Sequence, residues 1–344
     1  MPRACWASAT KIPHPSGLAL LPCSQLSPLY ILSDRSAALL QHLLPKKAIT
    51  QFGSLIADAR AGSVTHAIIR WFIKRYGVDM SEAADPRIES YASFNLFFTR
   101  ALRDGARPLA DVVNAVNSGD AIDAANTPGA RHAPWLCPVD GAISQLGSIE
   151  RDQIFQAKGH HYSTRALVGG DAQLAAQFDD GSFVTLYLSP KDYHRIHMPA
   201  RGTLRRMIYV PGDLYSVNPQ TARMIPGLFA RNERVVCVFD SADSADSADS
   251  ADGEQRGPFV MVLVGATIVG SMATVWHGVV NPPRTRDVRK WHYEDGQVVL
   301  ERGAEMGRFL LGSTVVMLFP KNVLRFNAEW VPERAVRLGE AMGP

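Results

Sequence analysis

A serine follows a glycine inside an apolar stretch near the carboxyl end of the chain. Leu311-Gly312-Ser313-Thr314 lies within residues 309–319, a run that is otherwise typical of a buried strand. Glycine weakens a strand, and a buried serine hydroxyl needs a hydrogen-bond partner, so this step is unusual on packing grounds. If a base lies near, the Ser313 hydroxyl can attack the Gly312 carbonyl carbon and cut the chain. The alternative is a β-bulge in which the serine is hydrogen-bonded. Isolated Gly-Ser pairs mark turns or bulges more often than they mark reactive sites.

Two further segments carry groups that such chemistry needs. Asp140 lies in Pro138-Val139-Asp140-Gly141, which taken alone is an ordinary turn, and His194 and His197 lie between two prolines in residues 188–199. Histidine is the natural base near neutral pH, and an acid on its other ring nitrogen fixes its tautomer. Two histidines three residues apart also suit a metal ion. No third ligand stands at a suitable spacing, so we predict no metal site.

The pattern of apolar residues predicts the elements that position these groups. Spacings of three and four from residue 48 to 76 predict two helices separated at Gly62-Ser63, with Ser63 as a possible N-cap. Residues 90–102 predict a further helix with an aromatic core stripe. After Pro138, short β-rich runs alternate with turn residues. We therefore predict an α+β fold, in which a helical amino-terminal segment packs on a β-rich, barrel- or sandwich-like antiparallel body.

Composition divides the chain into four parts. Residues 1–25 are predicted to be a disordered extension, residues 26–110 a helical segment, residues 111–134 a surface loop, and residues 135–344 the catalytic body. Four Ser-Ala-Asp repeats in residues 241–252 predict a solvated acidic hairpin loop. Metal binding by its aspartates is weakly supported, because such a run does not preorganise ligands.

Charge and cysteine content narrow the class of protein. With 46% hydrophobic residues, the chain can build one large core or two domains. Four scattered cysteines predict a reducing compartment, and neither a signal peptide nor a spanning helix is predicted.

Residues 1–80 carry nine Lys or Arg and three Asp, a net of +6 against −3 for the remainder. This asymmetry favours an anionic surface such as lipid as the neighbour of the basic helices, whereas nothing indicates a nucleic-acid partner. The alternative is a pair of core-packing helices with solvated charges.

Residues from about 68 to 319 resemble the phosphatidylserine decarboxylases of the bacterial, membrane-associated type. The similarity is carried by many ordered segments, which include Asn95-Leu96-Phe97-Phe98, Arg100-Ala101-Leu102-Arg103, Asp140-Gly141-Ala142-Ile143-Ser144, Gln156-Ala157-Lys158-Gly159-His160, Phe229-Ala230-Arg231-Asn232-Glu233-Arg234, Glu305-Met306-Gly307-Arg308-Phe309 and the Leu-Gly-Ser-Thr step. So many segments in one order make accident very improbable. The amino-terminal residues, residues 118–134 and the Ser-Ala-Asp repeats depart from the family pattern.

The resemblance implies a self-cleaving triad of Asp140, His197 and Ser313. An acyl shift at Gly312, followed by elimination and loss of ammonia, would leave a pyruvoyl group on residue 313 and a small chain of residues 313–344. That group would form a Schiff base with the amine of phosphatidylserine and act as an electron sink during the loss of carbon dioxide, giving phosphatidylethanolamine. His194 is the first candidate to return the proton, and His197 the second. The resemblance also implies a homodimer of processed α/β protomers, held peripherally at the cytoplasmic side of the cell membrane.

Two other functions compete with this prediction. A Ser-His-Asp hydrolase would keep its chain intact, but Ser313 lacks the Gly-x-Ser-x-Gly elbow, since Val315 stands two residues after it. A non-catalytic peripheral membrane protein on the same scaffold would need all three triad residues to be merely structural.

Overall fold

The computed structural model describes residues 46–110, 135–241, 257–267, 271–310 and 314–343. The predictions for residues 1–45, for the 111–134 loop and for the Ser-Ala-Asp repeats therefore lie outside the described residues, and so do Gly312 and Ser313 themselves.

The amino-terminal part is helical, as the apolar spacing predicts. It contains α1 (Lys46–Asp58), α2 (Ser63–Tyr76), a short 3-10 turn (Ile88–Ser90) and α3 (Phe94–Phe98). The predicted N-cap is wrong by one residue. Gly62 occupies the cap position with φ 55°, and Ser63 is the first helical residue and makes no side-chain cap. A left-handed backbone favours glycine, which explains the shift.

A small core of its own holds these helices together. The Phe72 ring of α2 contacts the rings of Phe94, Phe97 and Phe98 at centroid distances of 5.0 to 6.0 Å. The predicted aromatic stripe is therefore confirmed as core. Leu102 lies beyond the helix and forms an isolated bridge to Ala83 instead.

Antiparallel strands and short helices form the body. The strands are β1 (Trp135–Leu136), β2 (Gly141–Ser148), β3 (Gln153–Ala157), β4 (His160–Ser163), β5 (Ser182–Tyr187), β6 (Arg195–His197), β7 (Gly202–Val210), β8 (Arg234–Ser241), β9 (Gly257–Val264), β10 (Met272–Thr274), β11 (Gly278–Asn281), β12 (Arg289–His292), β13 (Val299–Leu300), β14 (Glu305–Phe309), β15 (Thr314–Phe319), β16 (Ala335–Val336) and β17 (Ala341–Gly343). The helices are α4 (Thr164–Leu167), α5 (Ala172–Ala176), α6 (Pro219–Ala222) and α7 (Leu228–Arg231).

The strands form one large sheet and three smaller ones. The nine-stranded sheet has the order β12-β7-β8-β9-β15-β5-β2-β16, with β13 also paired to β7. A four-stranded sheet has the order β11-β10-β14-β6, and the pairs β1-β17 and β3-β4 complete the set. The large sheet does not close on itself in the described residues. The α+β prediction is confirmed, and of its two architectures the structure is sandwich-like.

The central strands are buried on both faces, which is why they read as continuous apolar runs. In β15, Val315 and Met317 belong to the core between the large and the four-stranded sheets, whereas Val316 and Leu318 face the core under the short helices. Alternate residues of a strand point to opposite faces, so every position of β15 is covered.

Two sequence predictions concern the ends of these strands. β8 pairs with β9 from Arg234 opposite Val264 to Ser241 opposite Gly257, which confirms the hairpin around the repeats. The prediction of one strand through residues 309–319 is wrong, because β14 ends at Phe309 and β15 begins at Thr314. β14 belongs to the four-stranded sheet and β15 to the nine-stranded one, so the chain changes sheets at the Gly-Ser step.

Candidate active site

Backbone pairing fixes both sides of the Gly-Ser step. Before it, the Phe309 amide donates to the His194 carbonyl at 3.1 Å and the Leu310 amide to the Ser271 carbonyl at 3.0 Å. After it, Thr314 lies between Tyr187 of β5 and Val264 of β9 in the middle of the large sheet. The Thr314 hydroxyl is buried and has no hydrogen-bond partner among the described residues.

His194 stands directly before β6 and is fully buried. Its Nδ1 lies 2.7 Å from the Asp192 carbonyl oxygen, which can only accept, so Nδ1 carries the proton and Nε2 bears the lone pair. Nε2 has no partner among the described residues, and the Phe98 ring lies 4.1 Å from the imidazole. Burial lowers the pKa of His194 to about 3, so the ring is neutral at pH 7.

His197 lies at the end of β6, with both ring nitrogens engaged. Its Nδ1 donates to the Gly303 carbonyl at 2.8 Å, and its Nε2 lies 3.2 Å from the Tyr193 hydroxyl, which donates to it. Burial lowers the pKa of His197, while the hydrogen bond to Gly303 and the negative charge of Glu305 oppose that change. Nε2 is therefore the basic nitrogen of His197.

The structure brings Asp140 beside His197 without joining their side chains. The His197 amide donates to the Pro138 carbonyl at 2.9 Å, so the two predicted segments are neighbours. The Asp140 carboxylate instead accepts from Arg107 Nε at 2.9 Å, from Arg107 Nη2 at 2.5 Å and from the Leu338 amide at 2.9 Å. The Asp140 carboxylate was expected to orient the His197 imidazole. In the structure the Gly303 carbonyl does so instead.

A cleft of about 710 Å³ opens beside these groups, between the helical segment and the body. Asp140, Tyr193 and Tyr187 line it from the body, and Arg100 and Arg107 line it from the segment after α3. Tyr187, which lines the cleft, is the strand partner of Thr314, the first described residue after the Gly-Ser step. Asp140 lines the cleft directly, whereas His194 and His197 lie behind Tyr193 and do not line it.

Sequence reasoning missed three residues of this site. Arg107 forms a fork with Asp140 and also donates to Glu82 at 2.7 Å, Tyr193 occupies the base nitrogen of His197, and Arg100 forms part of the cleft wall. Arg100 lies in a segment that carried the family resemblance, and Tyr193 lies in the segment of the two histidines, so the sequence indicated their neighbourhood but not their roles. Arg107 had no local signal, since its partner is 33 residues away.

Two further searches cover only the described part of the chain. Within it, no group of three or more His, Cys, Asp or Glu side chains is placed to hold a metal ion. No helix there combines the length and apolar character that crossing a bilayer requires.

Comparison with known proteins assigns the class. A family model described as phosphatidylserine decarboxylase matches residues 94–344, and a second model, described as PSD, matches residues 36–77. The chain therefore belongs to the phosphatidylserine decarboxylase family.

Individual relatives are similar over nearly their whole length. A protein of Azoarcus sp. (strain BH72) is 64% identical over 312 residues, which cover 91% of this chain and 96% of that relative. A protein of Dechloromonas aromatica (strain RCB) is 60% identical over 312 residues, covering 91% and 99% respectively. Both are named phosphatidylserine decarboxylase proenzyme.

Proposed function

We propose that this chain is a proenzyme that cuts itself between Gly312 and Ser313 and then decarboxylates phosphatidylserine to phosphatidylethanolamine. The observation that carries the proposal is the 64% identity to a proenzyme of that name over nearly the full length of both chains. The strands on either side of the Gly-Ser step belong to two different sheets, and the preceding strand β14 pairs with β6, which carries His197 and follows His194; this arrangement supports the proposal.

In the cut, Ser313 is the nucleophile and the Gly312 carbonyl carbon is its target. A serine hydroxyl needs a base, and His197 Nε2 bears the lone pair for that role. Tyr193 must release this nitrogen first, because its hydroxyl occupies Nε2. The Asp140 carboxylate supplies negative charge that stabilises the imidazolium formed when His197 takes the proton.

The residues around the Gly-Ser step fit a pyruvoyl group formed from Ser313. Thr314 Oγ1 and His194 Nε2 are buried polar atoms without a partner among the described residues. Thr314 directly follows Ser313 in the chain, and the His194 carbonyl accepts from the Phe309 amide, four residues before Ser313. A carbonyl oxygen can accept a hydrogen bond from the threonine hydroxyl. Once formed, the pyruvoyl group would supply the electron sink that a side chain lacks.

His194 is our first candidate for proton transfer during turnover, and His197 the second. Since burial keeps the pKa of His194 near 3, its Nε2 is a base at pH 7 and has no proton to give at the outset. Its Nε2, the unprotonated ring nitrogen, is the atom that would have to acquire a proton during turnover and deliver it to the carbon that has lost carbon dioxide.

We further propose that α1 and α2 hold the enzyme peripherally on anionic membrane at the cytoplasmic side. Phe52 is 66% exposed, Leu55 71% and Trp71 60%, so part of the predicted apolar stripe faces outward and not into a core. Lys74 and Arg75 end α2 beside that surface. Apolar side chains that enter the interface and basic ones that attract anionic lipid are the two features of an interfacial helix.

Two properties of the processed enzyme belong to the same proposal. The cut separates residues 1–312 from a small chain of residues 313–344, which begins immediately before β15 and keeps that strand in the large sheet. Each protomer would then consist of two chains, and two protomers would form the homodimer that the family resemblance implies.

Denaturing electrophoresis with intact-mass measurement tests the proposal. Purified protein should give two fragments that meet at Gly312/Ser313, and hydroxylamine should shift the mass of the smaller one. Ser313→Ala should give one uncut and inactive chain. Lipid turnover by an unbroken chain would refute the proposal and favour an intact hydrolase, and an uncut wild-type chain without turnover would favour a non-catalytic membrane protein. For the membrane part, liposome sedimentation should fall with salt and with neutralised Lys74 and Arg75, and should fall further with Phe52→Ser and Leu55→Ser.

A further inference from the structure

Arg100 is largely buried, and its guanidinium has no hydrogen-bond or ion-pair partner among the described residues. The side chain follows α3, and the residue is 5% exposed. Its Nε has no hydrogen-bond partner, and no hydrogen bond or ion pair joins its guanidinium to another described residue. The guanidinium does make a cation–π contact with the Phe97 ring, whose centroid lies 5.4 Å from Cζ.

Other arginines show how unusual this is. Arg107, in the same cleft, is matched by Asp140 and Glu82. Arg289 also has a buried Nε without a partner, but its Nη2 donates to the Val280 carbonyl at 2.8 Å. Buried charges in folded proteins are paired or hydrogen-bonded, because taking a charge out of water is expensive. Among the described residues Arg100 has no such partner, and because only its Nε is fully buried, its Nη1 and Nη2 remain open to a ligand in the cleft.

The position of Arg100 indicates what would pair with it. It lines the cleft together with Asp140, Tyr193 and Tyr187, and Tyr187 is the strand partner of Thr314. The preceding Phe98 contacts the His194 ring, and the Arg195 guanidinium holds the intervening Thr99 carbonyl at 2.8 Å. The backbone before Arg100 thus contacts the segment that contains both histidines.

We propose that Arg100 binds the phosphate of the lipid headgroup in this cleft. The inference rests on the proposed function, since it assigns a role toward that substrate. A guanidinium recognises phosphate through two parallel N–H···O bonds, and the phosphate stands only a few bonds from the reacting carbon.

The headgroup has a second anion, the serine carboxylate, and the chemistry argues against it as the partner. An ion pair with the carboxylate stabilises the ground state and must break as carbon dioxide leaves, which would raise the barrier. The phosphate keeps its charge throughout the reaction. An arginine on the phosphate therefore adds binding energy without opposing the chemical step.

The first test compares two lipids that differ only in the carboxylate. Arg100→Gln and Arg100→Lys are assayed after mass spectrometry has shown that each is cut, in mixed micelles of nonionic detergent. For Arg100→Gln, the KM for phosphatidylserine and the inhibition constant of phosphatidylethanolamine should both rise, by roughly 10- to 100-fold, since hydrogen bonds to charged groups have about this strength. The value of kcat should stay within a few-fold, and Arg100→Lys should recover part of the loss.

The outcomes separate the alternatives. A rise in the KM for phosphatidylserine with unchanged phosphatidylethanolamine inhibition would assign Arg100 to the carboxylate and overturn the proposal. Unchanged values for both lipids would remove Arg100 from binding. Arg103→Gln is the matched control, because Arg103 is exposed on the same segment and does not line the cleft. If the wild type is not cut or does not turn over lipid, the proposed function fails, which is a different result.

A second test separates binding from structure without any lipid. A structural arginine loses stability when it is replaced, whereas an unpaired buried cation kept for a ligand does not. Arg100→Gln should therefore melt at the same temperature as the wild type or higher in lipid-free detergent. A clear fall in melting temperature would mean that Arg100 has a structural partner, and it would overturn the proposal.

Discussion

The fork between Arg107 and Asp140 should be among the most costly single contacts to break. Their side chains are 8% and 10% exposed, and Arg107 approaches Asp140 with Nε and Nη2 while Nη2 also reaches Glu82. Arg107→Met leaves the Asp140 carboxylate buried with a single donor, the Leu338 amide. Removing one partner of a buried ion pair costs about 3–5 kcal/mol, because the other charge remains uncompensated.

The measurement needs a chain that unfolds in one piece. We would therefore place Arg107→Met in the Ser313→Ala background, which stays uncut if the proposed function is right, and follow urea unfolding by circular dichroism. Adding Asp140→Asn to Arg107→Met should recover part of the lost free energy of unfolding, since the orphaned charge is then gone. With Asp140→Asn alone as the fourth corner of the cycle, the four free energies of unfolding give the coupling energy of the pair.

The chain contains a matched control for this experiment. Arg87 grips Asp85 with the same two atoms, Nε at 3.0 Å and Nη2 at 2.7 Å, but the Arg87 side chain is 77% exposed. Exposed pairs contribute little because water and salt screen them. Arg87→Met should therefore leave the urea midpoint nearly unchanged. If Arg107→Met and Arg87→Met shift the midpoint equally, the reasoning from burial is refuted.

Three further predictions concern the titration of His194, the contact between Tyr193 and His197, and Gly141 of β2. The folded-state pKa of His194 lies near 3, below the unfolded value near 6.5. The contribution of His194 to the free energy of unfolding should therefore be full above about pH 6.5 and fall by up to about 1.4 kcal/mol per pH unit as the pH drops toward 3. In urea titrations of the uncut background, His194→Gln should reduce that slope. Tyr193→Phe frees Nε2 of His197, so the cut at residue 313 should proceed at least as fast as in the wild type when followed by electrophoresis, and a chain that stays uncut would show that the hydroxyl is needed. In Gly141→Ala the new Cβ would lie 2.4 Å from the Tyr187 carbonyl oxygen, a backbone atom that cannot move away without disturbing the strand. The variant should therefore lose about 1–3 kcal/mol of its free energy of unfolding. An unchanged urea midpoint would contradict this.

Local patterns were sufficient for most elements of the fold. Helical spacing located α1 and α2, and apolar runs located the central strands. The prediction of one strand through residues 309–319 was wrong for a simple reason. A continuous apolar run is compatible with one strand and equally with the end of one strand followed by the start of the next. Only the pairing of Phe309 with Met272 and of Thr314 with Tyr187 separates the two cases.

The exposed face of α1 shows a second limit. Apolar residues at spacings of three and four predict a helix with one apolar face, but they do not say what covers that face. A protein core and a lipid interface select the same side chains. The exposure of Phe52 and Leu55 had to come from the packing, since it depends on which helices lie beside α1.

Contacts within the site were beyond sequence reasoning for a similar reason. The three segments with Asp140, His197 and Ser313 could be assigned from the family resemblance, and the structure places the described ones together. The hydrogen bonds could not be assigned in this way. His197 Nδ1 reaches the Gly303 carbonyl, 106 residues away, and a backbone acceptor of this kind has no residue type that could mark it.

Thr314, His194 and Arg100 each have a polar group without a partner among the described residues, and the free energy that each unpaired group costs differs. A buried hydroxyl such as that of Thr314 is left unpaired at modest expense, and a neutral imidazole avoids the larger penalty by giving up its charge, as the pKa of His194 near 3 shows. A guanidinium cannot escape in this way, because it remains protonated at any ordinary pH. Arg100 therefore keeps its charge, and since its Nη1 and Nη2 are open to the cleft, an anion bound there would compensate it. The cleft is thus complementary to a ligand with a fixed negative charge next to a group that gives up a proton, which describes a phospholipid headgroup with a primary amine better than it describes an ester or a peptide.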